Sequence, residues 1–225
     1  MGLHYPDFPM YFPHPFLSNE DGLLAVGGDL GIERLLLAYR FGIFPWYSED
    51  QPILWWSPKK RFIIDVENMH MPKSMRTYFN NNIFTVTVDQ HFESVIDRCQ
   101  NITRSNQDGT WITSDIKKAY TKLHSKGYAH SVEVWQENKM VGGLYGVGIG
   151  KIFSGESMFS EISNASKYAA LFLGNILREK GYTTIDCQQY SSHMERLGGY
   201  SISQAEYFDM IKENLLCESF AKKWD

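Results

Sequence analysis

The stretch Ser131–Phe159, SVEVWQENKMVGGLYGVGIGKIFSGESMF, decides how this chain folds. Ser131 to Trp135 alternates and favours a strand, Glu137-Asn138-Lys139 is a turn, and Met140 opens a second strand through a glycine-rich run. Lys151 to Phe159 then reads as the hairpin partner of that strand. Three successive antiparallel strands imply a central sheet, against which the flanking segments must pack.

Towards the C-terminus, Asn164 is placed to cap a helix from Ala165 to Lys180 that Gly181 closes, and Thr183 to Gln188 is another strand. Ser203-Gln204-Ala205-Glu206 is a capping-box pattern that opens a last helix. Towards the N-terminus, Thr113 or Ser114 caps a helix with Ile116, Tyr120 and Leu123 inward and Gly127 as its stop. Asp89 can cap a helix whose Phe92, Val95, Ile96 and Cys99 fall at i, i+3, i+4 and i+7. Ile83 to Val88 alternates as a strand, Pro72 suits the first turn of a helix to about Phe79, and Arg61 to Asp65 is a strand. The order after residue 61, β-α-β-α-α-β-β-β-α-β-α, predicts an α+β fold with a mixed central sheet.

Ahead of that unit the texture differs. Pro6, Pro9, Pro13 and Pro15 make residues 1–28 extended and looped. A short helix follows, capped by Gly31 and ended by Gly42, and then Trp46, Trp55 and Trp56 put three of the six tryptophans within eleven residues. A boundary near residues 60–66 divides the chain into a small N-terminal domain, 1–62, and a larger domain, 63–225.

The 225 residues are 43% hydrophobic, without a low-complexity tract or a solenoid repeat, so a packed core is expected and disorder is not. The N-terminus lacks the form of a signal peptide, Pro6 stands where a myristoylation signal needs Ser or Thr, and no apolar run is long enough for a bilayer. A cytoplasmic protein without a membrane partner is expected. Cys99, Cys187 and Cys217 are far apart and form no CxxC pair, so neither a disulfide frame nor a metal site is indicated. The net charge of −4 limits any nucleic-acid contact to a local patch. The candidates are Lys59-Lys60-Arg61, and Lys73 with Arg76, three apart on one helix face; a solvated surface run is the plain alternative for each.

Three groups of motifs are too particular for scaffold: Asp21–Leu30 with Gly42-Ile43-Phe44-Pro45-Trp46 and Trp55-Trp56-Ser57-Pro58; Gly109-Thr110-Trp111-Ile112-Thr113; and Phe153–Ser160 with Asn164-Ala165-Ser166-Lys167 and Ile185-Asp186-Cys187-Gln188. In this order and spacing they resemble the bacterial leucyl/phenylalanyl-tRNA–protein transferases over nearly the whole chain. Leu144 stands where Met also occurs in that family, and Gly31 where Ser is frequent.

The resemblance implies a C-terminal domain of the acetyltransferase-like (GNAT-type) fold. It also implies transfer of leucine or phenylalanine, or methionine, from aminoacyl-tRNA to the α-amine of proteins with N-terminal Arg or Lys, marking them for N-degron degradation. The donor ester is already activated, so no cofactor, ATP or metal is expected. The tasks left are orienting the amine, removing its proton and steadying the oxyanion.

On an extended strand Asp186 and Gln188 would share a face, where they bracket a reacting nitrogen or simply make a polar strand surface. The resemblance casts Gln188 as the base, but an amide is a poor proton acceptor. Asp186 is therefore the better proton sink or relay and Gln188 the group that aligns the amine, with transfer through the substrate's ribose hydroxyl as the alternative. The resemblance casts Trp46 and Trp111 as a stacking pair for the terminal adenine, and Trp55 and Trp56 read as packing between domains. Leu144, Phe153, Met158 and Ile185 are candidates for an apolar amino-acid pocket or for ordinary core. Glu156, a carboxylate in an apolar strand, needs a partner: a substrate ammonium, the ribose hydroxyls or a structural ion pair. The competing function is an acyl-CoA-dependent N-acetyltransferase, which wants a glycine cradle leading into a helix N-terminus; Gly142, Gly143, Gly146, Gly148 and Gly150 instead run into a hairpin. A monomer is expected.

Overall fold

A computed structural model describes residues 11–102, 110–217 and 222–224. Gly2, Pro6, Pro9 and Gly109 lie outside the described residues. The first part is a small antiparallel sheet in the order β1-β3-β2, built from β1 (Leu23–Val26), β2 (Phe44–Pro45) and β3 (Leu54–Trp56), with α1 (Ile32–Arg40) inserted after β1. Gly31 caps α1, fixed by the Asp29 carboxylate that accepts its N–H at 2.7 Å, and Gly42 ends the helix region at φ +68°. Trp55 is buried in the core, and the Trp56 indole donates to the Trp46 carbonyl at 2.6 Å.

The second part is one seven-stranded sheet. Its elements in chain order are β4 (Lys60–Asp65), α2 (Lys73–Asn80), β5 (Thr85–Val88), α3 (Phe92–Asn101), α4 (Ser114–Ser125), β6 (Ala129–Gln136), β7 (Lys139–Ile149), β8 (Ile152–Ser160), α5 (Ala165–Glu179), β9 (Thr184–Asp186), α6 (Ser192–Glu195), β10 (Tyr200–Ser203) and α7 (Gln204–Leu215). The strand order is β10-β4-β9-β8-β7-β6-β5. Every neighbouring pair is antiparallel except β8 and β9, which α5 joins as a parallel crossover. The expected hairpins β6-β7-β8 form as three adjacent strands of the sheet, and the capping box at Ser203 opens α7.

The structure departs from the sequence reading at two short elements and one helix cap, and adds detail at the domain cut and at Asn164. The cut between 62 and 63 falls inside β4, a six-residue strand of the larger sheet, so Lys60 to Phe62 belong with that sheet. The single turn α6 and the short β10 are additions; four residues of each carry too little hydrophobic period to be read. Asp89 does not cap α3, whose N-cap is His91. At φ +58° its carboxylate turns away to the Ser131 N–H and to His130 Nδ1, both at 2.8 Å, because those buried groups need a partner more than an exposed helix end does. Asn164 stands at the N-cap of α5 in the left-handed region, without a side-chain cap bond.

The two faces of the sheet carry separate cores. Tyr145, Val147 and Ile149 of β7 pack with α1, α3, α4 and the small sheet, while Val141 and Leu144 pack with α2 and α5. The glycines of β7 let neighbours press onto the strand. A Cβ at Gly146 would lie 2.5 Å from the Phe153 ring, and one at Gly148 would lie 2.4 Å from the Tyr182 hydroxyl. They are contact points inside a strand, and the hairpin expected of this run is what forms. No helix among the described residues is long and apolar enough to cross a membrane.

Candidate active site

The site forms where β8 and β9 stop pairing. They run in parallel register as far as Ser154 opposite Asp186; β9 ends there while β8 continues to Ser160. At the same level β7 and β8 slip register: Tyr145 pairs with Ser157 and Gly146 with Gly155, which leaves Glu156 as the extra residue of a bulge. A bulge re-aims a side chain, and Glu156 is turned into the gap. Gln188 meets it there, donating from Nε2 to Glu156 Oε1 at 3.0 Å.

Asp186 and Gln188 therefore do not share a strand face, because the strand has ended and Gln188 sits in a left-handed turn at φ +64°. Asp186 itself is fully buried. Its Oδ1 accepts from Arg61 Nε at 2.7 Å and from the Gln188 N–H at 2.9 Å, and its Oδ2 accepts from Arg61 Nη2 at 2.5 Å and from the Tyr207 hydroxyl at 2.8 Å. Every direction open to a proton is taken, so Asp186 is no accessible proton sink. It is instead the post that fixes the backbone of the Gln188 turn.

Arg61 is corrected in the same way. It lies between the rings of Phe44 and Tyr207, with its guanidinium carbon 4.9 and 4.6 Å from their centroids, and is 2% exposed. An arginine so enclosed is withdrawn from any surface patch. Lys60, Lys73 and Arg76 are exposed, whereas Lys59 is half-buried with its Nζ on the Phe16 carbonyl at 3.1 Å.

Glu156 takes further bonds from two tyrosines of other elements. Tyr39 of α1 donates to Oε1 at 2.7 Å and Tyr120 of α4 to Oε2 at 3.2 Å, and the two hydroxyls touch each other. Burial pushes the Glu156 carboxyl up to about 7 against those hydrogen bonds, with the charge of Asp186 adding to the rise. Burial also pushes the neighbouring Cys187 thiol up, so it stays protonated and makes a poor nucleophile.

Two cavities meet at Glu156, Cys187 and Gln189. The larger, about 350 Å³, has Leu144, Phe153, Met158 and Ile185 in its wall, joined by Leu173 and Met194. The smaller, about 160 Å³, holds Trp46 and Trp111 with Phe44 and Gln188. All seven substrate-contact candidates thus line one cavity or the other. The sequence reading missed Phe44, Tyr39, Tyr120, Cys187 and Gln189. Phe44 and Cys187 stand inside quoted motifs and could have been found; the tyrosines carry an ordinary helical period that hides their role.

A family model for the leucyl/phenylalanyl-tRNA protein transferase matches residues 63–212, and one for its N-terminal domain matches residues 28–59. The leucyl/phenylalanyl-tRNA–protein transferase of Flavobacterium johnsoniae is 47% identical over 93% of this chain and 99% of its own. That of Christiangramia forsetii is 50% identical over 89% and 95%, and that of Hahella chejuensis 48% over 99% and 95%. Among solved structures, FemX aligns with a TM-score of 0.51 at 12% identity, covering 80% of this chain and 71% of that one, a likeness of fold that agrees with the acetyltransferase-like architecture. With both of its parts matched in order, and relatives near half-identical end to end, the chain belongs to the leucyl/phenylalanyl-tRNA–protein transferase family.

Proposed function

We propose that this chain moves leucine or phenylalanine from aminoacyl-tRNA to the N-terminal amine of an acceptor protein, with Glu156 as the group that handles the proton. The observation that carries this is the placement of Glu156. A carboxyl that titrates near 7 stands where an apolar cavity meets an aromatic slot. The larger cavity takes the amino-acid side chain, which offers only apolar surface, and its volume lies at the small end of the ~300–1,000 Å³ usual for ligand sites. The slot takes the terminal adenine against Trp46 and Trp111, a contact that contributes about 1–3 kcal/mol per base. That arrangement brings the ester carbonyl to the junction.

The reaction is then one acyl transfer. The acceptor amine attacks the ester carbon, Glu156 as carboxylate takes a proton from the nitrogen, the carbon–oxygen bond to the ribose breaks, and the ribose oxygen leaves with a proton. The balance closes without a further reactant. Gln188 orients the amine and holds Glu156, and Asp186 is a positioning residue that acts through the Gln188 turn. Acceptors with N-terminal Arg or Lys, marked in this way for degradation, suit a site whose cavity-facing acidic group is Glu156. Lys60, Lys73 and Arg76 contact tRNA phosphates, and the chain works as a monomer in the cytoplasm. Incubation with radiolabelled Leu-tRNA and an Arg-initiated peptide should label the peptide. Labelling from acetyl-CoA instead would overturn this reading in favour of the acetyltransferase.

A further inference from the structure

The wall of the larger cavity has a support that the chemistry above does not use. Phe153, fully buried on β8, is a wall residue backed by other aromatic rings. Its ring lies on the bare backbone of Gly146, with Tyr182 edge-on at 6.5 Å and Trp224 tilted against it at 5.6 Å. Trp224 does not line the cavity; it stands behind Phe153.

Trp224 is held on three sides. Its indole stacks on His130 at 3.9 Å and 5°, and Tyr182 meets it edge-on at 5.8 Å. Its backbone N–H donates to Asp89 Oδ2 at 3.1 Å, and that same oxygen engages His130 Nδ1 at 2.8 Å. Asp89 adopts φ +58° in the course of this, and nearby Lys222 donates its N–H to the Gly127 carbonyl. Buried carboxylate, imidazole and indole thus form one clamp, 8% exposed at Trp224 and 1% at His130. Filling a core would need only an apolar side chain. Fixing a ring at one height needs the polar anchor as well.

We propose that Trp224 is a positioning residue for donor selection: clamped on Asp89 and His130, it holds the Phe153 ring at the height that sets the depth of the amino-acid cavity. Removing the indole leaves Phe153 room to retreat, so the cavity deepens and favours the longer, aromatic donor. A change of about one methylene in such a pocket shifts discrimination by roughly tenfold or more.

The inference rests on the larger cavity being the donor pocket, so the test includes a residue of its wall. kcat/KM for Phe-tRNA and for Leu-tRNA is measured in the full chain with Trp224→Ala, Trp224→Phe and Met158→Ala, alongside thermal melts. Trp224→Ala should raise the Phe-to-Leu ratio about tenfold, Trp224→Phe should fall between it and the unaltered protein, and Met158→Ala should also move the ratio. If Met158→Ala moves it and neither Trp224 variant does, Trp224 is a structural residue only and the inference fails alone. If none moves it, the reading of the cavity fails too. Where Trp224→Ala does not fold, Trp224→Phe carries the decision.

Discussion

At the scale of single residues, the fully buried carboxylate and the half-buried one differ in what is left free to meet a substrate. Asp186 is spent on Arg61, Tyr207 and a backbone N–H, and Glu156 meets the cavities. Because burial raises Glu156, it is a neutral acid below about 7 and a proton-accepting carboxylate above. kcat/KM should therefore climb as pH rises through about 7, and Glu156→Gln should lower it by roughly 10²–10⁴-fold and abolish that limb. Tyr39→Phe removes a hydrogen bond that favours the charged form, so the limb should move to higher pH. A limb that stays put in Tyr39→Phe would take Glu156 out of the proton step. Stability runs the other way. A carboxyl raised on folding contributes stability that is complete below its ordinary value near 4.5 and is lost as pH rises through about 7. The need of Glu156 for a partner was legible in the sequence; Tyr39, 117 positions away, was not, because its place in a helical pattern says nothing of the hydroxyl.

Among the elements, the long ones could be read and the short ones could not. The β6-β7-β8 hairpins and most helix limits follow from alternation, turn residues and caps. β9 is shorter than its sequence suggests, because Cys187 and Gln188 keep a strand-like sequence while the Asp186 carboxylate captures the next turn. Such a side-chain capture depends on Arg61 from another strand, so no local pattern announces it. The glycines of β7 were visible as a cluster, but their purpose appears only with the aromatic rings that lie on them. Gly146→Ala would set a methyl against the Phe153 ring and the Ser154 carbonyl. Overpacking of this kind should cost about 1–3 kcal/mol in urea unfolding and lower kcat/KM for both donors. Wild-type stability in that variant would deny the close contact.

For the whole molecule, the small sheet and the large one share a core, and the site needs both: α1, β2 and the loop after β2 supply Tyr39, Phe44 and Trp46. That a Trp-rich segment mattered was legible; which rings face a cavity depended on the packing of Trp55 inward. A protein with a net charge of −4 can hold tRNA phosphates only through a local surface, and Lys73 and Arg76 are exposed together on α2. Lys73→Ala with Arg76→Ala should raise KM for aminoacyl-tRNA several-fold with kcat kept. It should also flatten the plot of log(kcat/KM) against log salt by about 0.9 per lost phosphate contact. An unchanged slope would place the tRNA elsewhere.

β4 has a further consequence for how the molecule comes into being. It is made early, yet its neighbours in the sheet are β9 and β10, and Arg61 waits 125 residues for the carboxylate that neutralises it. On a ribosome adding ~5–20 residues per second, a nascent chain can close its β6-β7-β8 meander well before that partner emerges. The turn that presents Gln188 is thus among the last parts to be assembled. Gln188 therefore reaches Glu156, 32 positions before it, only after most of the sheet has already closed around the gap it fills.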